Sequence, residues 1–88
     1  MAPASDPEAA YQRWGPALVR KAERILRNRD DAVDVVHALF TDLIARREAA
    51  VDLPYLYRAI TNRALNVVRD ARGRTRLLER QHDALVPT

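Results

Sequence analysis

The chain has 88 residues, with 15 basic and 12 acidic side chains, a formal net charge of +3 and no cysteine. That length holds one small domain around one core, and without cysteine there is neither a disulfide framework nor a thiolate metal site. No apolar run approaches the ~20 residues of a membrane span, and MAPASDPEAA lacks a secretory signal's basic and apolar regions, so a cytoplasmic protein without membrane contact is expected.

Glycine and proline occur only at Pro3, Pro7, Gly15-Pro16, Pro54, Gly73 and Pro87, and no alternating strand pattern or internal repeat is present. The expected fold is all-α, a compact domain of three to four helices over residues 9–80. A disordered leader is expected over residues 1–8, overlapping the first helical turn, and residues 81–88 are expected to fray or to begin a linker.

The first helix is predicted from about Pro7 to Asn28. Tyr11, Trp14, Leu18, Ala22 and Ile25 recur at steps of three and four and make one apolar stripe. Pro16 removes an amide donor and crowds the carbonyl four residues back, which predicts a kink or a division of the helix there. Residues 1–29 carry six basic and three acidic side chains.

The second helix is predicted over roughly residues 31–49, with Asp30 or Asp31 as its N-cap. Ala32, Val36, Leu39, Phe40 and Leu43 form its inward face. At about 100° per residue, the opposite face gathers Asp31, Asp34, Ala38, Thr41, Asp42 and Ala45. Residues 30–52 carry six acidic and two basic side chains, the reverse of the flanking segments. Small residues between acids suit the close approach of another helix, and an inert solvated face accounts for the same pattern.

A short connection leads to the third helix, with Asp52 or Leu53 as cap, Pro54 in the first turn and Gly73 as its expected end. One or two further turns after Gly73 are allowed for. Leu56, Ile60, Ala64, Val67 and Ala71 are expected to face the core. Tyr55, Arg58, Asn62, Asn66, Arg69 and Arg72 share a second face about 120° wide, and Leu65 intrudes at its edge. Residues 53–88 carry seven basic and three acidic side chains, every basic one an arginine. Guanidiniums hold phosphates, asparagine amides pair with base edges, and a tyrosine ring stacks on an unpaired base. That combination points to nucleic acid. The plainer alternative is that Tyr55 caps the core, Arg58 pairs with an acid and the asparagines face water.

DDAVDVVHALFTDLIAR (residues 30–46) followed by PYLYRAITNRALNVVRDARGR (residues 54–74) resembles the second conserved region of the extracytoplasmic-function (ECF) group of sigma-70 factors. The matching positions are Asp31, Ala32, Asp34, Val35, Val36, His37, Leu39 and Phe40, then Tyr55, Leu56, Tyr57, Arg58, Ala59, Ile60, Asn62, Ala64, Asn66 and Arg69. YQRWGPALVRKAERILRNRDDA (residues 11–32) is similar to the family's opening helix, Gly-Pro included. The likeness spans about residues 9–80. It implies that Asp31, Asp34, His37, Ala38, Thr41 and Asp42 dock on the clamp helices of the largest subunit of RNA polymerase. It also implies that the third helix and the connection before it bind the promoter minus-ten element, capture a flipped base of the non-template single strand and help open the duplex. Tyr55, Arg58, Asn62, Asn66, Arg69 and Arg72 would make those contacts, with Tyr55 in the usual tryptophan's place. An anti-sigma factor is a further implied partner.

His37 replaces a typical glutamine and Ala38 a typical glutamate, and the connection from Glu48 to Leu53 is shorter than the family's base-capturing loop. The family's second helical domain, which reads the minus-thirty-five element, is not among these residues, so the resemblance implies either a piece of a longer sigma factor or a domain that cannot select promoters alone. His37 and His82 have no ligand partners at metal spacing, and no nucleophile set or phosphate loop is present. Neither an enzyme nor a metal or cofactor protein is expected. A protein-binding module that engages an anti-sigma factor without touching DNA is the alternative function. A duplex-binding helix-turn-helix dimer fits less well, since no short turn precedes the third helix.

Overall fold

The computed structural model describes the backbone of residues 4–85 and the side chains of residues 4–77. It is an all-α domain of three helices, α1 (Pro7–Leu26), α2 (Arg29–Ala45) and α3 (Leu53–Leu85). α1 packs against both other helices, and the α2–α3 contact is the smallest of the three.

Local chemistry sets the helix starts. Asp6 is extended at φ −63°, ψ 159°, and its Oδ1 accepts the Ala9 N–H at 2.9 Å. Pro7 then occupies the first helical position, where a missing N–H costs nothing. α2 is capped by Asn28, whose Oδ1 accepts the Asp31 N–H at 2.9 Å. The expected caps Asp30 and Asp31 are instead first-turn residues, where their charge complements the positive end of the helix dipole. At α3, Asp52 is the cap as expected, accepting the Tyr55 N–H at 2.9 Å, and Pro54 sits in the first turn.

The helix ends depart from expectation. α1 stops at Leu26 because Arg27 turns left-handed, at φ 55°, with its N–H on the Glu23 carbonyl at 2.7 Å. After α2, Arg47 is also left-handed at φ 55°. Arg47 N–H donates to Ile44 O at 3.0 Å and Glu48 N–H to Leu43 O at 3.1 Å, the paired bonds of a Schellman motif. Glycine usually fills such positions, and arginine there costs about 1–2 kcal/mol. α1 runs unbroken through Pro16 rather than dividing. α3 runs unbroken through Gly73, which has no positive φ and does not end the helix.

The core holds Ala10, Trp14, Leu18 and Ala22 of α1, Ala32, Val35, Val36, Leu39, Phe40 and Leu43 of α2, and Leu56, Ile60 and Ala64 of α3. Val67 and Ala71, expected inside, are exposed. The reason is length: at ~1.5 Å per residue α3 is about 50 Å long against about 30 Å for α1, so its described residues beyond Ala64 extend past the core. Tyr11 is exposed, edge-on to Phe40 with ring centroids 5.2 Å apart, and Ile25, on the same expected stripe, is only half-buried and outside the core cluster.

The expected leader is shorter than residues 1–8. Ser5 and Val51 exchange two backbone hydrogen bonds, of 2.9 and 2.7 Å, in an isolated antiparallel bridge, and Val51 is buried. This clamps the chain ahead of α1 to the connection before α3, so the start of α3 is held from two sides. Residues 1–3 lie outside the described residues, as do the side chains of the expected tail at 81–88. No helix among the described residues is long and apolar enough to cross a membrane.

Candidate nucleic-acid and protein interfaces

All six predicted residues of α3, Tyr55, Arg58, Asn62, Asn66, Arg69 and Arg72, are exposed. They lie opposite the buried Leu56–Ile60–Ala64 stripe, so the side of the helix that faces the core leaves them free by geometry. Among the described residues there are two ion pairs, Arg29–Glu23 and Arg63–Asp42. Arg58, Arg69 and Arg72 are thus without acidic partners there, and the side chains of Asn62 and Asn66 make no hydrogen bond within the described residues. Tyr55 lies outside the core cluster. Of the plainer reading, the structure holds the asparagines facing water but neither Tyr55 in the core cluster nor Arg58 on an acid among the described residues.

Two grooves flank Arg58. One, of about 400 Å³, lies beside the connection before α3 and is lined by Glu48, Ala50, Val51, Asp52, Tyr55 and Arg58. The other, of about 490 Å³, lies between α1 and α3 and is lined by Lys21, Arg24, Tyr57, Arg58, Thr61 and Asn62. The α1 side of this second groove is absent from the sequence-based site. Its signal was the spacing of Lys21 and Arg24, one turn apart beside the apolar stripe, but only the fold brings them alongside Arg58.

The α2 face is bounded on both edges. Asp31, Asp34, Ala38 and Thr41 are exposed and unpaired among the described residues. At one edge, His37 Nε2 is hydrogen-bonded to the Tyr11 hydroxyl at 2.8 Å, with the two rings tilted at 5.7 Å. At the other, Asp42 takes a hydrogen bond from the Arg63 guanidinium of α3. Both side chains remain exposed, but each is committed to a neighbouring helix. The freely presented part of the six-residue face is therefore its middle. Beside it, Tyr11, Phe40, Thr41 and Ile44 line an apolar hollow of about 410 Å³, and Ile44 is half exposed.

No group of three His, Cys, Asp or Glu side chains gathers into metal-binding geometry among the described residues. No protein-family model matches the chain, and neither a curated protein nor a solved structure proves similar to it.

Proposed function

We propose that this chain is a transcription-initiation domain. It docks on RNA polymerase core, at the clamp helices, through the acidic face of α2, and it holds the non-template single strand of a minus-ten element along α3. The observation that carries this reading is the exposed row from Tyr55 to Arg72, in which two amides stand between guanidiniums, all without partners among the described residues. Arginines at both ends anchor a strand by its phosphates, the amides between them read base edges, and the ring of Tyr55 stacks. Extruding a base costs a few kcal/mol, which stacking at ~1–3 kcal/mol per base largely offsets. The groove between Tyr55 and the connection held by Ser5 is the natural receptacle for such a base.

The test is a fluorescence titration. A preferred single strand is first selected from a random pool, then compared with its scrambled version. Asn62→Ala is expected to lower the ratio of the two affinities about tenfold, as the loss of one amide–base pair worth ~1–3 kcal/mol requires. Arg69→Ala is expected to weaken both strands alike and to lower the salt slope by ~0.7. Equal losses on both strands for Asn62→Ala reject base reading.

A second reading, a protein-binding module for an anti-sigma factor, is favoured by the apolar hollow at Tyr11, Phe40 and Ile44. Tight anti-sigma binding with absent or salt-insensitive DNA binding supports it instead.

A further inference from the structure

We infer that the groove between α1 and α3 is a second phosphate-binding track, in which Lys21 and Arg24 of α1 grip the backbone of a single strand that α3 reads. The inference rests on the nucleic-acid reading of α3 and extends it to a helix that the sequence pattern did not implicate.

Three cations, Lys21, Arg24 and Arg58, line this groove together with Tyr57, Thr61 and Asn62, and no carboxylate is among them. None of the three cations has an ion-pair partner among the described residues. The acid nearest in sequence, Glu23, is paired with Arg29. The groove's donor balance leans the same way. Thr61 Oγ1 donates its proton to the Tyr57 carbonyl at 2.7 Å, leaving that hydroxyl only as an acceptor. The remaining polar groups are an ammonium and two guanidiniums, which only donate, and the Asn62 amide and Tyr57 phenol, which can do either. A ligand that fits is rich in acceptors and negatively charged, as a phosphodiester is.

The geometry favours an extended strand over a compact anion. Lys21 and Arg24 are one turn apart on α1, and Arg58 and Asn62 are one turn apart on α3, so the donors form two facing rows. Tyr57, also in the lining, is half-buried against the core cluster, which gives the groove an aromatic wall. Arg58 and Asn62 belong both to this groove and to the outer α3 face. A strand lying on that face passes them and can cross onto α1 without leaving a basic surface. An acidic peptide would satisfy the same charges, and comparison with polyglutamate separates it from a nucleic-acid strand.

The experiment uses the full chain, with Lys21→Ala and Arg24→Ala singly and together. Both are single changes to a good helix former at a partly or fully exposed site, and circular dichroism checks the fold. Fluorescence anisotropy with selected and scrambled single strands is measured across a salt series. The double variant is expected to lose affinity equally for both strands, with the salt slope falling by ~1.4, two contacts at ~0.7 each. An unchanged affinity and slope, while Arg69→Ala still weakens binding, overturn the α1 track and leave the α3 reading intact. Failure of the unaltered chain to bind any single strand overturns both. Binding of polyglutamate as tight as that of a single strand of equal charge also overturns the inference, in favour of an acidic protein ligand.

Discussion

Gly73→Ala gives a test whose sign separates two descriptions of α3. Had Gly73 ended the helix in the left-handed conformation, a Cβ there would cost about 1–2 kcal/mol. The structure instead places Gly73 inside a continuous helix, without positive φ, and a Cβ built on it meets no atom within 4 Å. Alanine then removes the entropic penalty of an interior glycine, a gain of about 0.8–1.0 kcal/mol with no steric charge against it. At 1.4 kcal/mol per tenfold, that is roughly a fourfold to fivefold slowing of local opening. Native-state hydrogen exchange reads it directly at the amides around Asp70, Ala71 and Arg74. Because every described side chain from Leu65 onward is at least partly exposed, opening of this segment is a local event, and exchange at Leu56 and Ile60 is expected to respond less. Far-UV ellipticity should rise. Faster exchange around position 73, or lower ellipticity, refutes the continuous helix and returns Gly73 to the role of a terminator.

Two further outcomes follow from the same geometry. Asp34→Arg is expected to abolish pull-down by a polymerase clamp fragment without changing single-strand binding, since Asp34 is exposed and lies on the free middle of the α2 face; unchanged pull-down removes it from that interface. Ile60→Ala empties a fully buried site where α3 meets the other helices. It should cost ~2–5 kcal/mol in urea unfolding, a large share of the roughly 4–13 kcal/mol expected for a domain of this size.

What the sequence made legible was whatever depends on residues close together along the chain. Trp14, Leu18 and Ala22 of α1, the stripe of α2 and the Leu56–Ile60–Ala64 stripe were readable because helical periodicity is a local property, and so was the exposure of the face from Tyr55 to Arg72. The cap at Asp52 was readable beside Pro54. The cap at Asn28 was not, because Asp30 and Asp31 are equally good cap residues and only the backbone at Asn28, extended at φ −150°, decides among them. The ends at Leu26 and Ala45 were placed too late for a related reason. Arg27 and Arg47 take a conformation usually left to glycine, so the customary stop signal is missing from the letters.

The remaining differences are tertiary, and each changes what a face can offer. Helical periodicity assigned Val67 and Ala71 to the core because it carries no information on where α1 and α2 run out. The same blindness hid the α1 side of the basic groove, since Lys21 and Arg24 stand more than thirty positions before Arg58 and only helix packing sets them beside it. It also made the α2 face look uniform. Its two edges, His37 and Asp42, are tied to Tyr11 and Arg63, so a partner must either leave those bonds in place or replace them. An exposed ion pair such as Arg63–Asp42 is worth ~0–1 kcal/mol, and a hydrogen bond such as Tyr11–His37 ~0.5–1.5 kcal/mol. Replacement is therefore cheap, and Asp34, Ala38 and Thr41 in the middle of the face are exposed without any such bond to give up among the described residues.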